Sequence, residues 1–289
     1  MRGGPTVGRG AATISVGLMA FGPSIVKTVD MAEMAFMFWR LTLASALYAV
    51  IQAVVGKRIS WADLRRSALG GVVFAVNLIF FILSMRRTSA VNAVVIASLQ
   101  PVVLLAAGVR LFGERPHRSV YGWSVLAFCG VVLSMVAADA SGVATRGGDL
   151  LALVTMLLFA AYYVISKRAR ADMDSSTYQL SLTLVATATL APFALIYEGG
   201  LALPTAGDWW LVAAMAVIPG TGHLLANFAH GHASLTMVSL INLGFTAIAP
   251  LYAWWLVGER IGAMQAVGIG LVLVALGFVV TRPVEVVGR

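Results

Sequence analysis

The chain has 289 residues, of which 60% are hydrophobic and only 11% are charged. A soluble globular domain carries about 25% charged residues, so this composition excludes an ordinary soluble protein and indicates an integral membrane protein. The net charge of +8 does not indicate a nucleic-acid partner, because the basic residues lie at the ends of apolar runs, as membrane topology requires.

Ten apolar runs are long enough for a helix that crosses the bilayer, which takes about 20 residues. The first five predicted helices cover Ala11–Thr28, Ala32–Val55, Ser67–Met85, Thr88–Val109 and Ser119–Ala138. The second five cover Asp149–Ser166, Ser176–Tyr197, Trp209–Ala229, Ser234–Val257 and Gly262–Thr281. The first run lacks a clear cleavage site for a signal peptide, so we interpret it as a retained helix.

One segment of the chain occurs twice. Residues 89–115 and 234–260 both begin with serine, continue as an apolar run and end in Gly-Glu-Arg, at a separation of 145 residues (234 − 89 = 145). About five predicted helices separate equivalent positions, and because five is odd, the second copy crosses the membrane in the opposite direction. Inverted repeats of this kind build many secondary transporters. We therefore predict an all-α integral membrane protein with ten transmembrane helices in two inverted five-helix repeats, residues 1–140 and 141–289.

The distribution of basic residues tests this arrangement independently. With the N-terminus in the cytoplasm, 14 of the 20 Lys and Arg residues lie on the cytoplasmic side and 5 lie outside, while Arg40 lies within a span. This bias predicts cytoplasmic N- and C-termini and an even number of helices. Lys27 and Lys167 end the first and sixth predicted helices on opposite sides of the membrane. They are a second pair of equivalent positions in the repeat.

Polar side chains inside the hydrocarbon are costly and are often functional. Arg40 lies about 12 Å along the second predicted helix, where it either binds a substrate carboxylate or reaches headgroups or freed backbone carbonyls. His223, in the eighth predicted helix, either serves a substrate or a proton, or hydrogen-bonds within the bundle. The remaining candidate substrate-binding residues either line a cavity or join neighbouring helices. They are Asn77, Ser98, Gln100, Tyr163, Gln179 and Asn242.

The acidic residues show which cargo such a site favours. All twelve Asp and Glu residues lie at or near the ends of predicted helices. The middle of the membrane therefore offers no carboxylate to bind a lipophilic cation or to exchange it for a proton. This pattern favours a neutral, zwitterionic or anionic cargo, and we predict no metal ion and no cofactor.

Prolines and glycines mark the candidate hinges, because proline removes a backbone hydrogen bond and glycine lets a helix bend. The candidates are Pro101, Pro219, Gly220 and Pro250. In the eighth predicted helix we expect the freed carbonyls to lie near a cavity.

Two further features have structural interpretations. We expect Glu114 to pin the turn after the fourth predicted helix and to pair with Arg115 or Arg118, as Glu259 would after the ninth. Glycines recur in the fifth and tenth predicted helices, which we expect to pack together on the two-fold axis or at the surface of a homodimer.

These motifs resemble the EamA family of the drug/metabolite transporter superfamily. The likeness lies in Pro101 before the first Gly-Glu turn, Pro250 before the second, the glycine-rich fifth and tenth helices and the arginine at position 40. The two prolines are not equivalent, since they precede their glutamates by 13 and 9 residues (114 − 101 and 259 − 250). The resemblance implies export of small metabolites across the bacterial inner membrane, amino acids being the best-known cargo.

The leading hypothesis is therefore an exporter that moves amino acids, including hydrophobic or aromatic ones, by alternating access, with the small-molecule substrate and the lipid bilayer as partners. Export of other cargo, such as hydrophobic drugs or phosphorylated or nucleotide-linked sugars, remains an alternative, as does a non-transporting receptor or scaffold. An intramembrane enzyme has no support, because the chain lacks His-Glu-x-x-His, paired Asp and Gly-x-Ser-x-Gly motifs.

Overall fold

The computed structural model describes residues 4–26, 28–85, 87–88, 93, 96–136, 145–197, 200–258, 260–281 and 284–286. Within these residues the helices of the first half are α1 (Pro5–Met19), α2 (Gly22–Val26), α3 (Glu33–Val54), α4 (Trp61–Met85), α5 (Gln100–Phe112) and α6 (Arg118–Val136). Those of the second half are α7 (Arg146–Asp172), α8 (Ser175–Tyr197), α9 (Ala206–His230), α10 (Leu235–Asn242), α11 (Gly244–Val257) and α12 (Ala263–Thr281). Predictions about Lys27, Glu259 and the beginning of the fourth predicted helix fall outside the described residues.

Eight helical segments of the described chain are long and apolar enough to cross a bilayer. Two of these segments join consecutive helices, α1 with α2 and α10 with α11. Two others, α5 and α6, are apolar but shorter. The structure is thus an α-helical, multi-pass membrane protein, with eight candidate spans in the described residues where the sequence predicts ten.

A short β-structure is the one element type that the sequence analysis did not predict. Strands β1 (Glu114–Pro116) and β2 (Val284–Val286) pair antiparallel, with Glu114 opposite Val286. The pair brings the turn after α5 next to the C-terminal end of the described chain.

The two Gly-Glu-Arg turns have the same backbone geometry. Gly113 ends α5 with φ of 63°, and Gly258 ends α11 with φ of 76°, both in the left-handed region that favours glycine. The Gly113 N–H donates to the carbonyl of Gly108, and the Gly258 N–H donates to the carbonyl of Ala253. The duplicated sequence therefore forms duplicated helix ends.

A second contact recurs in the two halves. A Cβ at Gly8 in α1 would lie 2.8 Å from the backbone of His232, in the connection between α9 and α10. A Cβ at Gly148 in α7 would collide with the carbonyl of Arg87, in the segment that follows α4. The first helix of each half thus packs, through glycine, against a connection of the other half.

Helices α6 and α12 pack closely against each other, as their glycines predict. A Cβ at Gly130 would lie 2.8 Å from the carbonyl oxygen of Gly268, and a Cβ at Gly268 would lie 2.5 Å from the backbone nitrogen of Ser134. The glycines therefore serve a contact within one chain.

We expect Gly268→Ala to lower the free energy of unfolding by about 1–3 kcal/mol, because the added methyl group meets backbone that cannot give way. The measurement is the thermal midpoint of the purified protein in detergent. Gly270→Ala is the matched control, since a Cβ there meets nothing within 4 Å. Equal midpoints for the two variants would contradict this packing.

Candidate functional site

Arg40 is a buried charge without a counter-charge in the described structure. It lies two turns into α3 and is 6% exposed. In the described part of the chain, its guanidinium makes no hydrogen bond and has no carboxylate within ion-pair distance. The titratable groups that interact with it electrostatically are Tyr48 and His223. Since removing an unpaired ion from water costs several kcal/mol, Arg40 needs a partner of opposite charge.

The groups near Arg40 come from both halves of the chain. Tyr48, two turns further along α3, donates a hydrogen bond of 2.7 Å to the carbonyl oxygen of Gly220 in α9. The ring of His223, also in α9, meets the ring of Phe74 in α4 edge-on, with 5.3 Å between their centroids. The groups that interact with the guanidinium are therefore a phenol from α3 and an imidazole from α9.

Three buried polar side chains join the second-half helices next to this cluster. The amide nitrogen of Asn227 in α9 donates to the amide oxygen of Gln179 in α8 at 2.5 Å, and to the hydroxyl of Tyr162 in α7 at 3.1 Å. Asn227 follows His223 by one helical turn, so both residues lie on the same face of α9. We refer to Tyr162, Gln179 and Asn227 as the polar triad.

A row of aromatic rings runs beside the triad. Tyr163 meets His230 with 4.7 Å between ring centroids, and Tyr163 meets Tyr162 at 5.8 Å. Tyr162 in turn lies 5.0 Å from Phe74, whose ring contacts His223. The row therefore connects the end of α9 to the neighbourhood of Arg40.

The sequence analysis named four residues that the structure brings into this region: Arg40, Tyr163, Gln179 and His223. It did not assign a binding role to Tyr48, Tyr162 or Asn227. The available signal for Asn227 was an amide within the apolar stretch 224–229 of a predicted helix.

The other predicted site residues lie elsewhere in the helices. Asn77 in α4 donates to the carbonyl of Thr155 in α7 at 2.8 Å, which is a bond between helices. Ser98 and Gln100 are buried where α5 begins, and the Gln100 amide nitrogen has no partner among the described residues. Asn242 is partly buried as the last residue of α10.

The candidate hinges fall at different kinds of position. Helix α9 continues through Pro219 and Gly220. Two carbonyls of this stretch accept side-chain hydrogen bonds from the first half, because Tyr48 donates to Gly220 and Ser15 of α1 donates to Gly222 at 2.7 Å. Side chains of α1 and α3 thus join α9 to the first half through its backbone.

Pro101 and Pro250 do not occupy equivalent places. Pro101 lies in the first turn of α5, next to a turn at residues 98–99, whereas Pro250 lies inside α11. The second half has its matching interruption at Leu243, 145 residues after Ser98 (243 − 98 = 145). Both halves are therefore interrupted at the same point of the repeat.

The expected role of Glu114 as partner of Arg115 or Arg118 is wrong. Glu114 is only 1% exposed, and its carboxylate accepts the backbone N–H groups of Leu235 at 2.5 Å and Thr236 at 2.9 Å. These N–H groups open α10 and have no acceptor within their own helix, so the carboxylate satisfies them and complements the helix dipole. A Cβ at Gly108 would lie 2.5 Å from this carboxylate, so the glycine makes room for it.

Two surface cavities lie away from Arg40. One of about 270 Å³ is lined by charged residues at the ends of α3 and α7, including Lys57 and Asp174. The other, of about 380 Å³, is an apolar groove between α3 and α8, lined by residues such as Phe38 and Ala188. Arg40 therefore lies apart from both cavities in this conformation.

Comparison with known proteins places these features in a wider context. The model of the EamA-like transporter family matches residues 7–136 and again residues 146–281. The pseudopaline exporter CntI of Pseudomonas aeruginosa is 22% identical over 250 residues, which cover 86% of this chain and 85% of that protein. An uncharacterized transporter of Archaeoglobus fulgidus is 26% identical over 248 residues, covering 84% of this chain and 80% of the other. A crystal structure with 16% sequence identity superimposes with a TM-score of 0.80 over 96% of both chains, which shows the same fold.

We expect Glu114→Gln to destabilise the protein by about 1–3 kcal/mol, because hydrogen bonds to a charged acceptor are the stronger ones and the amide presents one acceptor atom instead of two. The thermal midpoint in detergent measures the effect. Arg115→Gln is the control, since that neighbouring side chain is exposed. A Glu114→Gln protein with the same thermal midpoint as the wild type would show that the cap contributes nothing to stability.

Proposed function

The chain belongs to the EamA-like transporter family, and on this premise we propose that it exports small carboxylate-bearing metabolites, above all amino acids with apolar or aromatic side chains. The observation that carries the proposal is Arg40, a buried guanidinium without an acidic partner in the described structure. The resemblance to an exporter supports the direction of transport.

A cargo carboxylate is the partner that fits Arg40 best. A guanidinium and a carboxylate form two parallel hydrogen bonds, which are stronger than bonds between neutral groups. The neighbours Tyr48 and His223 bring no negative charge at neutral pH, so they leave this place to the cargo. Binding would turn an isolated buried charge into a neutral pair.

The surroundings of Arg40 favour an apolar cargo side chain. Phe74, Tyr162 and Tyr163 form most of the ring row that leads to His223. An aromatic or aliphatic group packed between such rings buries apolar surface, and an aromatic pair adds about 0.5–1.5 kcal/mol. A lipophilic cation is disfavoured, because it would lie beside a guanidinium.

Alternating access between inverted repeats is the proposed mechanism. Three observations support it: the two family matches, the two identical helix ends at Gly113 and Gly258, and the reciprocal glycine contacts of α1 and α7. In this proposal the five-helix halves 1–140 and 141–289 rock about the Arg40 region, within a bacterial inner membrane and with both termini in the cytoplasm.

Movement of the halves would require α9 to change its bonds to the first half. Pro219 cannot donate a backbone hydrogen bond, and the Gly220 and Gly222 carbonyls are held by Tyr48 and Ser15. We assign the hinge of the second half to this stretch.

The experiment that tests the proposed function is counterflow in proteoliposomes. Vesicles loaded with unlabelled amino acid should transiently accumulate the labelled one, and the signal should saturate. A receptor or scaffold would bind the label without this overshoot, which would contradict the proposal.

We expect Arg40→Met to reduce counterflow by about 10- to 100-fold, the loss that corresponds to removing a charge-assisted pair. The thermal midpoint should stay equal or rise, because an uncompensated buried charge is replaced by an apolar side chain. Arg66→Gln, an exposed change of the same charge, is the control. A lower thermal midpoint with unchanged flux per molecule would show that Arg40 stabilises the fold and does not bind the cargo.

We expect Pro219→Ala to change the transport rate while equilibrium binding of the amino acid stays within about two-fold, because the substitution stiffens α9 without touching the cluster. Pro192→Ala is the matched control, since Pro192 also lies inside a helix but is exposed. Loss of binding without a change in rate would exclude the hinge.

A further inference from the structure

A second buried cation, with one unsatisfied donor, lies at the predicted cytoplasmic end of the bundle. Arg170, in the last turn of α7, is 9% exposed. Its Nε donates to the carbonyl oxygen of Asn227 at 2.8 Å, but its Nη1 has no partner among the described residues. Capping the carboxyl end of α9 would account for the bond from Nε of Arg170. It would not account for the buried Nη1 donor, which has no partner.

His230 is unpartnered beside it. The residue is 1% exposed, and neither ring nitrogen has a hydrogen-bond partner in the described chain. It interacts electrostatically with Arg170 and Lys167. The guanidinium lies against the next residue, since a Cβ at Gly231 would be 2.8 Å from Nη2 of Arg170. Two side chains with unsatisfied polar atoms therefore share one buried place, which costs free energy in this conformation.

The acidic groups near this place are already engaged. Glu114, which interacts with Lys167, caps α10 through both of its oxygens. Asp174, which interacts with Arg170, is bound by Lys57 at 3.1 Å. Partial burial raises the pKa of Asp174, but hydrogen bonds from Ser176 and Thr177 and the contact with Lys57 outweigh it and hold the pKa well below its ordinary value. Asp174 thus stays ionised, both carboxylates are engaged by other groups, and the Nη1 donor of Arg170 is left to attract an anion.

The place is continuous with the Arg40 region. Arg170 binds the backbone of Asn227, whose side chain belongs to the polar triad. His230 begins the row of rings that ends at His223. A cargo that enters between these elements would meet Arg170 first and Arg40 later.

We propose that Arg170 and His230, with Lys167 at the rim, form a second binding subsite for the cargo carboxylate, which occupies it on the way from the cytoplasm to Arg40. The proposal rests on the proposed function. In this proposal, the ends of α7 and α9 capture cargo when its concentration is low, because clustered positive charge raises the local concentration of anions.

The test is the concentration dependence of counterflow in proteoliposomes with labelled phenylalanine, leucine or glutamate as probes. Arg170→Gln should raise KM for the transported probe about ten-fold and leave the maximal rate within about two-fold. Arg168→Gln, which removes an exposed charge two residues earlier, should leave KM unchanged. Gly231→Ala keeps every charge but displaces the guanidinium, so it should raise KM in the same direction.

The outcomes separate the two proposals. Counterflow in the wild type with an unchanged KM in both Arg170→Gln and Gly231→Ala would overturn the subsite and leave the proposed function standing. Equal KM increases in Arg170→Gln and Arg168→Gln would also overturn it, because the effect would then come from surface charge. Should Arg170→Gln fail to fold, Gly231→Ala and His230→Asn decide alone. Absence of counterflow for every probe in the wild type would overturn both proposals.

Discussion

A charge in the low-dielectric interior of a membrane protein has to be neutralised or solvated, and Arg40 obtains no counter-charge from the described chain. This constraint applies first to the surroundings of Arg40. The titratable groups that interact with the guanidinium are Tyr48 and His223, while the carboxylate of Glu114 caps a helix. In the proposed function, the carboxylate of the cargo neutralises this positive charge. Arg170 repeats the pattern at one end of the same row of side chains.

The scaffold around Arg40 follows from a second requirement of the bilayer, that every backbone group finds a partner within the protein. Helix ends create unpaired groups, and Glu114 of the first half satisfies two of those that open α10. Glu114 caps α10, Tyr48 binds Gly220 and Ser15 binds Gly222. These bonds connect the two halves, so any rocking of one half against the other has to exchange them.

The sequence was sufficient for the membrane class, the family, the all-α fold and the close approach of α6 and α12, because hydropathy and glycine spacing act locally. It also indicated that Arg40 is buried, since a lone arginine in an apolar run is conspicuous. It could not show that Glu114 binds a helix 121 residues away, because that contact depends on how the halves pack. Tyr162 and Asn227 were missed as a pair for the same reason. The helix is interrupted at Leu243, where the sequence has no proline, whereas α11 continues through Pro250 without an interruption. The position of proline therefore did not predict where this helix breaks.

The most direct measurement of the account is a competition experiment on the wild-type protein. Counterflow of the best transported amino acid is challenged with the unlabelled amino acid, with its amide and with the amine that lacks the carboxyl group. If Arg40 receives the cargo carboxylate, the amino acid competes, while the amide and the amine compete at least about ten-fold more weakly. Equal competition by the decarboxylated amine would contradict the account.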